Sequence, residues 1–318
     1  MNKYSLLQKI LHRFALSSKF MREAAFDLES SLISSSNKSD DHIFIAGLAR
    51  SGSTILLNAI HESCIFASLT YADMPFTLSP NLWSKILKDQ RKTDSIERFH
   101  KDGIKVSSES PEAFEEVFWK TFSESNSESK EKFKTYIQLI THKYKKKRYL
   151  SKNNQNIKRL DLILDIFPNS KILIPYREPI QHANSLLTQH KKFIKDSRKD
   201  RFISNYIGWI GHTEFGEKYV PVHKKNLFYK NDLDINHWLE QWYLTYKECQ
   251  NIFESNPNVQ FVCYEKLCKS EEYWLKILET LNIKRKYNFH FEESYKYVAM
   301  NIDSDLAKKT SLIYSKLN

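Results

Sequence analysis

The chain has 318 residues, and its 49 Lys and Arg residues outnumber 38 Asp and Glu residues, giving a formal net charge of +11. This length suffices for one sizeable core and does not require two domains. No apolar run approaches about 18 residues, and a signal-peptide pattern is missing, so we expect a soluble cytoplasmic protein. The basic balance favours anionic ligands or anionic membrane surfaces, although a solvated lysine-rich surface explains it equally well.

The first 40 residues are predicted to form an amphipathic helical segment ahead of the main domain at 41–318. The apolar residues that share one helical face are Leu6, Leu7, Ile10, Leu11 and Phe14. Basic residues lie off that face. We expect the face to pack on its own domain, and the alternative is contact with an acidic membrane surface or a partner helix.

The next stretch predicts a strand, a tight loop and a helix. An apolar run at 43–46 has the character of a buried parallel strand, and Gly47 ends it. Helical spacing begins at Ser53. Gly47, Gly52 and Thr54 have the spacing of a phosphate-binding Walker A loop, but Ser53 stands where that motif has its lysine.

The missing lysine decides which chemistry this loop can support. Glycine turns and a helix N-terminus favour an anion such as phosphate, and Arg50 supplies the formal cation. Without the lysine, transfer of a γ-phosphoryl group loses its main positioning charge. The loop therefore predicts phosphate binding without ATP hydrolysis, while a kinase with a degenerate loop is the second hypothesis.

The loop resembles the 5′-phosphosulfate-binding loop of sulfotransferases that use 3′-phosphoadenosine 5′-phosphosulfate (PAPS). The residues that carry this resemblance are Arg50, Ser51, Gly52, Ser53 and Thr54. A second resemblance follows the predicted strand at 171–176. There Arg177 is followed eight positions later by Ser185, as at the family's 3′-phosphate site. A guanidinium and a hydroxyl are suitable donors to phosphate oxygens.

The resemblance also implies three residues for the transfer step. Lys152, at the end of a predicted strand, would neutralise charge on the leaving oxygen. Asp73 would take the acceptor's proton, although a turn or capping role explains it equally well. His212 is the second candidate base, because histidine exchanges protons near neutral pH; a structural role is its alternative.

The polar region at 84–147 is predicted to be a helical insertion. Ser110, followed by proline and glutamate, has the form of a helix start, so Glu112 and its neighbours are interpreted as partners of the helix dipole. Near the C-terminus, a strand at 258–263 leads into a helix that begins with Tyr264. We expect these residues to hold the core together.

Together these features predict a three-layer α/β/α fold with a mostly parallel central sheet. The resemblance implies transfer of a sulfuryl group from PAPS to an acceptor hydroxyl or amine, with a saccharide preferred and a lipid-linked or small acceptor as alternatives. Cysteine spacing suggests no zinc site, and neither a metal nor nucleic acid is expected to take part. A non-catalytic homologue that still binds the nucleotide is the third hypothesis.

Overall fold

The computed structural model describes most of the chain. The ranges it describes are 5–33, 37–86, 96–97, 105–124, 126–198, 201–225, 227–284, 287, 289–293, 295 and 301–318.

A parallel sheet of five strands forms the centre of the structure. The strands are β1 (Ile43–Ile45), β2 (Phe66–Ala67), β5 (Arg148–Lys152), β6 (Lys171–Tyr176) and β7 (Val259–Cys263), with a separate antiparallel pair formed by β3 (Ile96–Glu97) and β4 (Lys105–Val106). The order across the large sheet is β2-β5-β1-β6-β7, and every neighbouring pair is parallel. The central β1 places Ile45 opposite Lys152 on one side and Leu173 on the other.

Helices surround this sheet. They are α1 (Leu6–Ser17), α2 (Lys19–Leu32), α3 (Ser53–His61), α4 (Pro80–Ile86), α5 (Glu116–Phe122), α6 (Glu128–Tyr144), α7 (Leu160–Ile166), α8 (Pro179–Ser197), α9 (Arg201–Trp209), α10 (Ile235–Phe253), α11 (Tyr264–Lys269), α12 (Glu271–Thr280) and α13 (Ser304–Leu317).

The sheet is buried on both faces because its strands are apolar at successive positions. Phe44 points into a core shared with α5, α6 and α10, whereas Ile43 and Ile45 point into a core shared with α3 and α12. Two helical layers therefore enclose the sheet, as expected when parallel strands are joined by helices. The predicted three-layer α/β/α fold is confirmed.

The middle of the chain, predicted as a polar helical insertion, contributes buried side chains to the core. Phe133 and Tyr136 of α6 are fully buried beside the sheet, so the described part of the region belongs to the main core. The predicted helix start at Ser110 is wrong, because α5 begins at Glu116 and Pro111 instead bridges to Thr70. Residues 87–95 and 98–104 of this region lie outside the described residues.

The N-terminal segment forms two helices rather than one. Ser18 ends α1 and caps α2. The apolar face that we expected to pack on the domain is instead exposed at four positions, whereas His12, Ala15 and Leu16 are buried. In the part of the chain that the structure describes, none of the helices combines the length and hydrophobicity needed to traverse a bilayer.

Candidate functional site

The glycine loop after β1 is shaped by two close contacts. Gly52 is the N-cap of α3 with a φ of 92°, in the left-handed region that favours glycine. A Cβ added to Gly52 would lie 2.5 Å from Cδ2 of Tyr264, and one added to Gly47 would lie 3.1 Å from the carbonyl oxygen of Pro175. The loop is therefore held between β6 and α11, with the N-terminus of α3 at its end.

Arg50 connects this loop to the second predicted motif. Its Nε donates to Oγ of Ser185 at 3.3 Å, and its carbonyl oxygen accepts a long contact of 3.5 Å from Nη1 of Arg177. Arg177 follows β6 directly, and Ser185 lies in the second turn of α8. The two motifs therefore lie side by side, and two guanidinium groups face one region.

The ring of Tyr264 contacts both motifs. The guanidinium carbon of Arg177 lies 5.1 Å from the centre of the Tyr264 ring, in cation–π geometry. The same ring packs against Gly52. Tyr264, which the sequence analysis assigned only to the core, therefore sets the position of one arginine relative to the glycine turn.

A buried histidine supports the loop. His182 is fully buried, and its Nε2 lies 2.7 Å from the carbonyl oxygen of Ala49. The pKa of His182 is lowered to about 3, mainly by burial; the hydrogen bond to Ala49 opposes this shift, and the charges of Arg177 and Arg50 add to it. The imidazole is therefore neutral near pH 7, and its Nε2–H donates to the carbonyl oxygen.

These elements open onto one cavity of about 630 Å³. The predicted site residues that line it are Arg50, Gly52, Ser53, Thr54, Lys152, Arg177, Ser185 and His212. Lys152 enters from the end of β5, next to the end of β1, and only 7% of it is exposed. Ser51 is fully buried in the loop and does not line the cavity.

Asp73 is the predicted residue that the structure places elsewhere. It is fully buried, it caps its own turn by accepting from the backbone N–H of Thr70 at 2.7 Å, and Tyr144 donates to it at 2.6 Å. Lys143 forms an ion pair with its other oxygen. Because both oxygens are engaged away from the cavity, the geometry favours the capping role over that of a catalytic base.

His212 lies in the cavity wall after α9. Its Nε2 is 3.0 Å from the carbonyl oxygen of Ala113. A carbonyl oxygen only accepts hydrogen bonds, so Nε2 carries the hydrogen and Nδ1 keeps the basic lone pair. This arrangement gives the ring one fixed orientation and one nitrogen that can accept a proton.

Glu112 is a cavity residue that the sequence analysis placed in a helix. Its Oε2 accepts from the Tyr71 hydroxyl at 2.8 Å, and its Oε1 accepts from the N–H of Ala113 at 2.9 Å. Its own N–H donates to the carbonyl oxygen of Leu69. This pairing with a distant segment carries Glu112 to the cavity, and no local sequence signal indicates it.

No group of three or more His, Cys, Asp or Glu side chains suited to a metal ion occurs among the described residues. The fold and the site define a class of protein: a parallel α/β domain with a glycine loop, followed by a helix N-terminus, at the end of its central strand. Residues 42–285 match the model of the Sulfotransferase family, and the chain belongs to that family.

Similar solved structures include three sulfotransferases, each at low sequence identity. Sulfotransferase STF1 from Mycobacterium tuberculosis H37Rv is 12% identical, with a TM-score of 0.48, covering 96% of this chain and 81% of that one. Sulfotransferase STF9 from Mycobacterium avium is 10% identical, with a TM-score of 0.45 and coverages of 99% and 79%. The sulfotransferase domain from the curacin biosynthetic pathway is 13% identical, with a TM-score of 0.42 and coverages of 87% and 97%. No curated protein sequence matches this chain.

Proposed function

We propose that this chain transfers a sulfuryl group from PAPS to an acceptor hydroxyl or amine. The observation that carries the proposal is the contact of Arg50 with both Ser185 and Arg177. These contacts place the glycine loop and the Arg177–Ser185 motif beside one cavity, and PAPS carries anionic groups at both its 5′ and 3′ positions. A single donor molecule matches such a pair of motifs.

Each end of the donor is assigned to one motif. The glycine turn, the N-terminus of α3 and Arg50 would hold the 5′-phosphosulfate, since backbone N–H groups and the helix dipole favour an anion there. Arg177 and Ser185 would hold the 3′-phosphate. Arginine is well suited to this role because its guanidinium offers several donors in fixed directions.

The transfer itself is proposed to be a direct, in-line displacement. The acceptor oxygen or nitrogen forms a bond to sulfur while the bond from sulfur to the 5′-phosphate oxygen breaks. Nδ1 of His212 takes the acceptor's proton, and the nucleotide leaves with the electron pair of the broken bond. Lys152 stabilises the negative charge that grows on the leaving oxygen, in a buried position where such stabilisation is strong.

The acceptor is proposed to be a small molecule or a saccharide. Its hydroxyl would lie against the part of the cavity wall that surrounds His212. Polar side chains of both charges line this wall, namely Glu112, Lys192 and Glu214. Such groups suit an acceptor with several hydroxyls, because each hydroxyl can both donate and accept hydrogen bonds. A lipid-linked saccharide is compatible with the same contacts.

A transfer assay tests this proposal. The purified chain is incubated with sulfur-labelled PAPS and a panel of phenolic, saccharide and amine acceptors, with a chelator present. We expect labelled product and no requirement for magnesium. Transfer of phosphate from ATP in the presence of magnesium would instead support the kinase hypothesis. Binding of the nucleotide product without turnover on any acceptor would support the non-catalytic hypothesis.

A further inference from the structure

The first helix presents an apolar face to solvent. His12, Ala15 and Leu16 are buried against the domain, where His12 packs on Tyr206 of α9 with ring centres 5.6 Å apart. The side chains on the opposite face, with their exposed fractions, are Leu6 76%, Leu7 76%, Ile10 57% and Phe14 54%. Helical spacing places these four within one arc of about 100°. A continuous apolar stripe of this kind marks an interaction surface.

The sequence around this stripe carries only basic charges as far as Arg22, although Lys19 pairs with Glu23 at 3.5 Å and Arg22 is buried. The first 22 residues contain five Lys and Arg residues and no acidic residue. Lys9 and Arg13 of α1 lie along one edge of the stripe, and Arg13 is exposed. The neighbouring α2 also exposes apolar side chains, including Phe20, but it carries acidic residues as well. The combination of an exposed apolar stripe with a basic edge is therefore a property of α1.

We propose that the exposed face of α1 binds the surface of an anionic lipid bilayer. An amphipathic helix with a basic edge lies in the plane of a membrane, with its apolar side chains in the headgroup boundary and its cations near anionic lipids. A second copy of the chain fits less well, because two basic edges would face each other in a chain of net charge +11. The proposal does not depend on the reaction proposed above.

Cosedimentation of the full chain with lipid vesicles tests this proposal. We expect binding to phosphatidylcholine vesicles that contain about 30% phosphatidylglycerol, and weaker binding to vesicles of phosphatidylcholine alone. Raising the salt concentration is expected to weaken the binding to anionic vesicles, because salt screens the cationic contribution. Absence of binding to anionic vesicles, or equal binding to both kinds, would overturn the proposal.

Two double variants locate the binding surface. Leu7→Gln with Phe14→Gln is expected to lower the partition onto anionic vesicles at least about tenfold, since two inserted side chains are lost. The matched control is Ile252→Gln with Leu312→Gln, whose native side chains are 53% and 64% exposed on α10 and α13. The control is expected to bind as the native chain does.

All four positions are exposed, so we expect thermal unfolding monitored by circular dichroism to be similar in both variants. An equal loss of vesicle binding in both double variants would overturn the assignment to α1. The assignment would also be overturned if the α1 variant bound vesicles as the native chain does but lost a concentration-dependent dimer that the native chain and the control form. Analytical ultracentrifugation measures this dimer. That result would assign the face to a second copy.

Discussion

At the scale of single residues, the site depends on side chains whose contacts fix their orientation. Arg50 is held by Ser185, and the ring of His212 is oriented by the carbonyl oxygen of Ala113. A base whose ring is already oriented loses less entropy when it engages the acceptor, and correct positioning is a large part of general base catalysis. His212 is therefore the residue whose replacement should affect turnover most selectively.

Replacing His212 by Gln is expected to lower kcat by about 10² to 10⁴ while leaving nucleotide affinity within about threefold. Glutamine can still donate to the Ala113 carbonyl oxygen but cannot accept the acceptor's proton. Steady-state transfer rates and calorimetry with the nucleotide product give the two quantities. The control is His142→Gln, at an exposed position of α6. An unchanged kcat in the His212 variant would contradict the role of His212 as the base and would favour Glu112 instead.

Which site residues can be predicted from sequence depends on whether their neighbours are local. Arg50, Gly52 and Thr54 belong to one short loop, so their spacing alone indicates an anion site. The family resemblance implies Asp73 as a candidate base, whereas its partners Lys143 and Tyr144 lie about seventy positions later in the chain. No spacing rule indicates that these two side chains close over its carboxylate.

At the scale of elements, the contact between the glycine loop and α11 joins two distant parts of the chain. The ring of Tyr264 occupies the space that a Cβ on Gly52 would need. A side chain at this position therefore has two costs, one from the left-handed backbone and one from the collision with a buried ring. The first cost belongs to the loop alone, and the second depends on Tyr264.

Gly52→Ala is expected to lower the free energy of unfolding by about 2 to 4 kcal/mol. In a Tyr264→Ala background the same substitution should cost about 1 to 2 kcal/mol, because only the backbone cost remains. Urea unfolding of the four proteins measures both values. The matched control is Gly208→Ala in α9, where the new Cβ would meet only the flexible end of Lys218. Equal costs in both backgrounds would contradict this account of the contact.

Elements with strong local signals were predicted closely. The strand at 171–176 has the bounds expected from its apolar pattern. The segment after Ser110 was predicted as a helix, yet it pairs with the chain at Thr70. A backbone bridge to a distant strand end overrides a local helix-start signal. The exposed face of α1 was likewise not predictable, because helical spacing does not show which face finds a partner.

At the scale of the whole molecule, buried histidines make stability depend on pH. Burial lowers the pKa of His42 to about 4 and that of His182 to about 3. In the unfolded chain each returns to about 6.5 and takes up a proton that the folded state excludes. Their contribution to stability is therefore complete above pH 6.5 and is lost as pH falls towards the folded pKa values. Burial also lowers the pKa of four further histidines, namely His12, His61, His190 and His223.

When the pH falls from 7 to 5, His42 and His182 become protonated in the unfolded chain. Each protonation is expected to lower the free energy of unfolding by roughly 2 kcal/mol. His182→Gln should abolish its own share of this loss, while His142→Gln should not. Burial raises the pKa of Glu29 and acts in the opposite direction, so the difference between variants is the quantity to measure. Urea unfolding at both pH values provides it. The same pH dependence in the native chain and in His182→Gln would contradict the assignment.

The central claim is that the two anion-binding motifs form one site for one nucleotide. Calorimetry with 3′-phosphoadenosine 5′-phosphate and with AMP, which lacks the 3′-phosphate, tests it in the native chain and in Arg177→Ala. The matched control is Arg198→Ala at the exposed end of α8.

The native chain and the control are expected to bind the 3′-phosphorylated nucleotide at least about 30-fold more tightly than AMP, since charge-assisted hydrogen bonds to the 3′-phosphate are lost with AMP. In Arg177→Ala the two affinities should lie within about threefold. Equal affinities for both nucleotides in the native chain would contradict the claim.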